Sequence, residues 1–208
     1  MRSSNNVDQA EFSRSWQKIQ KTYPEANFLQ SPAWGKTNEL IGHKVIIEFS
    51  LEAKKAAKGG TIGPWWCLMI VKNAKRGRYL EVPGGPLLDW NNLAAVQTVF
   101  AQLRAVARQE KCVFIRLRPQ LRRKAEQESL LAAQGASLAP MHLHAEHTVM
   151  LDLTKAADEL LAAMRRQTRY EVRRAAKLDL KVTWANDEDT FREFHQAQAI
   201  TAARQHFV

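Results

Sequence analysis

Phe12, Trp16 and Ile19 recur at helical spacing among charged and amide side chains, which predicts an amphipathic helix over residues 8–21 ended by Tyr23-Pro24. Ser31 directly before Pro32 pairs a good N-cap with a first-turn proline, so a short second helix is expected there. The period then changes. The β-branched run within residues 43–51 predicts a strand, residues 61–72 a second and residues 78–82 a third, with 54–60 as a loop or hairpin connection. Pro83, Gly84, Gly85 and Pro86 must break the sheet. Asn91 or Asn92 can cap a long helix to about Gln109, with Leu93, Val96, Val99, Phe100, Leu103 and Val106 on its inner face. Residues 111–117 predict a buried strand, and 121–133 a helix stopped by Gly135.

Further along, residues 147–153 read as a strand, and Thr154 as the cap of a short helix to Met164. A strongly basic helix is expected to about Leu178, then a strand at 181–184 and a helix from near Asn186. Alternating strands and helices after an opening helical pair favour a mixed α/β fold, a mixed sheet with flanking helices. The expected boundary is the loop 139–146, giving domains 1–145 and 146–208. The second has too few elements to cover both faces of a sheet, and the chain stops within a helical pattern. A second domain cut short is therefore expected.

Composition narrows the partners. No apolar run approaches the length of a membrane span, and the N-terminus lacks the apolar middle of a secretory signal. Two cysteines, Cys67 and Cys112, without a CxxC pair argue against a disulfide framework and fit a cytoplasmic protein. The net charge of +10 favours anionic partners: nucleic acid, phosphorylated metabolites or an anionic membrane surface.

Several chemistries drop out. Gly35-Lys36-Thr37 resembles the end of a phosphate-binding loop, but Gln30 stands where that motif needs glycine. No G-x-G pair exists for a dinucleotide, and the glycine turn that cradles the pyrophosphate of acyl-CoA is missing too. His142, His144 and His147 lack a completing acidic or cysteine ligand and read as loop histidines, so no metal is expected. No Ser-His-Asp or Cys-His arrangement indicates a covalent nucleophile.

The basic helix is more telling. Arg165, Arg169, Arg173 and Lys177 recur every four residues, with Arg166 and Arg174 on the neighbouring stripe and Tyr170 between them. Such a set suits phosphate oxygens, positioning a backbone without reading sequence. The segment 79–90, YLEVPGGPLLDW, sets glycines at a strand end, where backbone can approach a ligand or neighbour closely, followed by a carboxylate at Asp89.

Four stretches in order, FLQSPAWGK (28–36), YLEVPGGPLLDW (79–90), residues 147–177 and FHQAQAITAARQHF (194–207), resemble the FemABX family. Its members transfer an amino acid from aminoacyl-tRNA to the stem peptide of a peptidoglycan precursor. One departure is Gly84, where members commonly carry Arg or Lys. The resemblance implies two domains related to the N-acetyltransferase (GNAT) fold, the first complete here and the second only begun. By position it implies that Lys36 and Arg204 grip the precursor's diphosphate, that Trp34 and Tyr79 line the same cleft, that Asp89 is the base, and that Arg165, Arg166, Arg169, Arg173, Arg174 and Lys177 face the tRNA. It implies no cofactor beyond aminoacyl-tRNA as co-substrate, and a UDP-linked or lipid-linked precursor as partner. A monomer is expected, with peripheral association at the inner face of the cytoplasmic membrane. The competing expectations are an acyl-CoA-dependent N-acyltransferase of the same fold and a non-catalytic RNA-binding module.

Overall fold

The computed structural model describes residues 2–3, 9–56, 59–75, 77–141, 143, 149–178 and 180–207. The chain divides into two compact units, Met1–His142 and Leu143–Val208.

The first unit is built on a five-stranded sheet in the order β1-β2-β5-β6-β7. Its strands are β1 (Arg2–Ser3), β2 (Lys44–Ser50), β5 (Trp65–Ala74), β6 (Gly77–Pro83) and β7 (Phe114–Arg118). A separate hairpin pairs β3 (Lys54–Lys55) with β4 (Thr61–Ile62). All sheet neighbours run antiparallel except β6 and β7, which are parallel and joined through α3 (Leu93–Gln109). A parallel pair needs such a crossover. The sheet is mixed and the class is α/β.

β5 reads as an unbroken apolar run because both of its faces are covered. Trp65, Cys67, Met69 and Val71 pack with Leu80, Val82 and the α3 residues Val96, Val99, Phe100, Leu103 and Val106. Trp66, Leu68 and Ile70 face the other way, with Ile47, Phe49 and the α1 (Gln9–Thr22) residues Trp16 and Ile19. Trp66, wholly buried, meets the rings of Phe12, Trp16 and Phe49 at centroid distances of 5.1, 5.3 and 5.1 Å. Asn92 caps α3 through Ala95 N.

Three expectations need local correction. The strand foreseen at 61–72 is split at Gly63-Pro64, since proline has no N–H for a ladder. The strand foreseen at 111–117 starts at Phe114 and forms the sheet edge, with Val113 and Phe114 exposed rather than buried. The helix α4 (Ala125–Ala133) begins four residues later than its sequence pattern suggested.

The second unit contains α5 (Ala157–Ala163), α6 (Arg166–Ala175) and α7 (Glu188–Arg204). Asp187 caps α7 by accepting from Thr190 N at 2.8 Å. Thr154 does not cap α5; its N–H and hydroxyl both donate to Asp152. The strands expected at 147–153 and 181–184 do not form in the described part of those segments; 147 and 148 lie outside it. A strand exists only through ladder partners. Residues 149–153 and 181–184 carry no strand, have no ladder neighbour among the described residues, and leave Met150 and Trp184 almost fully exposed. The His142, His144 and His147 set also lies outside the described residues.

Among the described residues no helix is long and apolar enough to cross a membrane.

Two buried acids generate predictions. Glu48 on β2 accepts from Gln102 Nε2 at 3.0 Å, while its Oε2 is buried without a hydrogen-bond partner among the described residues. Burial pushes its pKa up, against the opposing hydrogen bond from Gln102. The fold therefore favours the protonated acid, and the cost of Glu48 appears as pH rises through its folded pKa. Glu48→Gln should raise the melting temperature at pH 7 by a few degrees, up to ~1 kcal/mol after solvent screening. The gain should vanish in acid, as a thermal melt series across pH will show.

Tyr23, at the end of α1, donates its hydroxyl to Pro64 O. Burial first, then the carboxylates of Asp89 and Glu25, raise its pKa from 10.0 to about 12. The folded phenol keeps a proton that the unfolded one releases, so this stability is complete below pH 10 and lost as pH approaches 12. Absorbance at 295 nm should show one of the three tyrosines ionising only with alkaline unfolding. In Tyr23→Phe that late component should be gone.

Candidate functional site

The stretches 28–36 and 79–90, which the sequence singled out in the first unit, fold against each other. Asn27 begins a 3-10 turn at Phe28–Gln30 by accepting from Leu29 N at 2.9 Å. Ser31 then caps α2 (Pro32–Leu40), its Oγ accepting from Trp34 N at 3.1 Å. Between the two caps stands Gln30, with no solvent exposure.

Gln30 fills a gap in the sheet. β5 and β6 pair from Ile70↔Glu81 to Ala74↔Gly77 and then stop. Continuing the register would set Leu68 opposite Pro83, which has no N–H to give. The Gln30 amide supplies that rung. Its Oε1 accepts from Leu68 N at 2.8 Å, and its Nε2 donates to Leu68 O at 3.2 Å and Pro83 O at 2.7 Å. Its own carbonyl accepts from Trp66 Nε1 at 2.9 Å. Removing the amide would orphan buried backbone groups, each costing ~1–3 kcal/mol.

The two glycines follow from this. A Cβ at Gly85 would sit 2.5 Å from Gln30 Cδ, and one at Gly84 would sit 2.5 Å from Asn27 Nδ2. Gly84 also has φ +66, a left-handed value that suits glycine. The close approach that the sequence hinted at is thus to a neighbouring segment of the chain itself. Beyond the turn, Leu87 exchanges both backbone hydrogen bonds with Trp66. Asp89 follows, exposed, with Oδ1 accepting from Asn91 N at 3.0 Å.

Other residues singled out by sequence are distributed as follows. Trp34 packs against the cluster around Trp66, meets Phe28 edge-on at 5.5 Å, and has its Nε1 buried without a hydrogen-bond partner among the described residues. Lys36, on the same helix, is exposed and lies 3.7 Å from Glu39. Tyr79 on β6 stacks on Phe114 at 4.9 Å with the rings nearly parallel. Burial raises its pKa, Glu81 adds to this and Arg116 opposes it. A polar relay ties that part of β6 to α2: Lys72 Nζ lies 4.0 Å from Glu81 and donates to Asn38 Oδ1 at 3.3 Å, while Asn38 Nδ2 donates to Trp34 O. The relay therefore ties the strand that bears Tyr79 to the helix that bears Trp34. Asp89 makes its contacts elsewhere, with Asn91 and Tyr23.

In the second unit, Arg204 lies in the last turn of α7 and is exposed. Arg165 is the residue preceding α6 rather than part of its stripe. Arg166, Arg173, Arg174 and Lys177 are exposed around Tyr170. Arg169 differs: its Nη1 donates to Ala162 O at 3.1 Å and Met164 O at 2.6 Å, satisfying carbonyls at the end of α5. Among the described residues no group of three or more His, Cys, Asp or Glu side chains is placed to hold a metal ion.

Asn27, Lys72 and Glu81 were not singled out by the sequence, and Gln30 was noted only as the residue that breaks a phosphate-loop pattern. Each is an ordinary polar residue until the fold brings its partner to it; for Asn27, Gln30 and Lys72 that partner is more than thirty positions away.

Comparison with known proteins agrees with this architecture. A crystal structure titled FemX superposes on all of this chain with a TM-score of 0.69 at 19% identity. The match takes in 51% of that protein, so the chain spans about half its length. No curated protein matches the chain. The model of the FemAB family matches residues 12–208, nearly the whole sequence, and the chain belongs to the FemAB family.

Proposed function

We propose that this protein acts in peptidoglycan-bridge formation, transferring an amino acid from aminoacyl-tRNA to an amine on the stem peptide of a peptidoglycan precursor. The observation that carries the reading is the family match across residues 12–208. The exposed cations of α6 and the exposed Lys36 support two polyanionic substrates.

The chemistry asks little of the protein in covalent terms. The ester linking an amino acid to tRNA is already activated, so the acceptor amine can attack its carbonyl carbon directly. A C–N bond forms, the C–O bond to the terminal ribose breaks, and the amine's proton leaves while the ribose oxygen gains one. In this reading Asp89 takes the amine's proton and Lys36 and Arg204 bind the precursor's diphosphate by charge-assisted hydrogen bonds. Trp34 and Tyr79 line the acceptor cleft. Arg165, Arg166, Arg173, Arg174 and Lys177 meet the tRNA backbone, with Arg169 shaping the helix pair. Orientation and removal of one proton supply most of the rate. No cofactor is required, and the substrates place the reaction in the cytoplasm, with a monomer at the inner membrane face for a lipid-linked precursor.

The test is transfer of a radiolabelled amino acid from charged tRNA to a UDP-linked muropeptide, with acyl-CoA as the competing donor. Transfer from charged tRNA supports the reading; transfer only from acyl-CoA, or RNA binding without transfer, overturns it. Binding should weaken about tenfold or more at 0.1 M salt when Arg173 and Arg174 are both changed to Glu, with a shallower salt slope. Arg169→Ala should instead lower thermal stability by ~1 kcal/mol, because it uncaps α5.

A further inference from the structure

Gln30 has no exposed surface, so it cannot touch a substrate, yet it holds both ends of the turn that carries Asp89. At the entry its Nε2 binds Pro83 O, and its side chain lies where a Cβ at Gly85 would stand. At the exit its carbonyl binds Trp66 Nε1, and the backbone of Trp66 is paired in both directions with Leu87, two residues before Asp89. Asn27 closes the same turn through Nδ2 to Gly84 O at 3.4 Å.

We infer that Gln30 is a positioning residue: its amide, locked as a rung between β5 and β6, fixes the turn from Gly84 to Asp89 and thereby aims the Asp89 carboxylate at the acceptor amine. The inference rests on the role given to Asp89 above. A hydrophobic residue of equal volume would fill the space but not the function. Leu68 N–H, Leu68 O and Pro83 O need one acceptor and two donors, and among side chains of this length only the carboxamide supplies all three. A glutamate would accept from Leu68 N but turn a carboxylate oxygen toward two carbonyls.

The experiment compares Gln30→Met, Gln30→Glu and Asp89→Asn in the full chain, by hydrogen exchange and by transfer kinetics. In Gln30→Met the amides of Leu87 and Asn92, which bond to Trp66 O and Asp89 O, should exchange about tenfold faster or more, while those in the middle of α1 and α3 stay unchanged. The turnover number should fall by about tenfold or more, with KM for the precursor within about twofold. Gln30→Glu should behave in the same way. The decisive arm is the double variant: Gln30→Met in an Asp89→Asn background should be no slower than Asp89→Asn alone. If the losses multiply instead, or if a folded Gln30→Met leaves exchange at Leu87 and Asn92 unchanged, the inference is overturned. Should Gln30→Met not fold, Gly85→Ala presses on the same amide from the opposite side and carries the same expectations. If the parent protein transfers nothing, the function reading fails, and the exchange measurements still decide whether Gln30 holds the turn.

Discussion

The rung that one side-chain amide supplies between β5 and β6 is the interaction on which the first unit's architecture turns. The sheet must let β6 leave its neighbour so that the chain can turn and enter α3. Leaving deprives buried backbone groups of Leu68 and Pro83 of their ladder partners. Proline ends the ladder on one side, and Gln30 completes it on the other. The glycines at 84 and 85 are then conditions for Gln30 and Asn27 to come close enough. Trp66 extends the constraint to the core, because its indole N–H is anchored to the same residue and its ring lies among Phe12, Trp16 and Phe49. A polar anchor and an aromatic cluster thus share one residue.

Much of this unit was legible in the sequence, and the reasons are local. Ser31-Pro32 and Asn92 carry their capping chemistry on themselves, so α2 and α3 begin where the residues say. The apolar run of β5 shows a strand covered on two faces. The glycine turn was recognisable as a place of close approach. What approached it was not recognisable, since Gln30 precedes it by more than fifty residues and its spacing matches no motif. The same holds for Lys72, Glu81 and Asn38, whose relay between sheet and helix exists only once β5, β6 and α2 are assembled.

The second unit departs furthest from its sequence reading because that reading used patterns whose realisation depends on partners. The pattern of residues 149–153 and 181–184 predicts parts of strands, yet they form no ladder among the described residues. A helix needs no such partner for its hydrogen bonds, and α5, α6 and α7 all form. Even within α6 the simple stripe of cations is modified, since Arg169 is turned back onto the end of α5. A count of arginines cannot distinguish a side chain that meets solvent from one that caps a neighbouring helix.

These two kinds of construction suit two different tasks in the proposed reaction. Long, exposed cations such as Arg173, Arg174 and Lys177 raise the local concentration of a polyanion and speed its encounter, but their flexibility fixes little geometry. Attack of an amine on an ester demands the opposite, because a misplacement of about 1 Å can cost a hundredfold in rate. The turn bearing Asp89 is held at Pro83, Gly84 and Leu87 by hydrogen bonds, and the Tyr23 phenol lies near enough to feel the charge of Asp89. Capture and alignment then make separable demands on the sequence. A change in α6 should appear in the salt dependence of binding, whereas a change around Gln30 should appear in turnover.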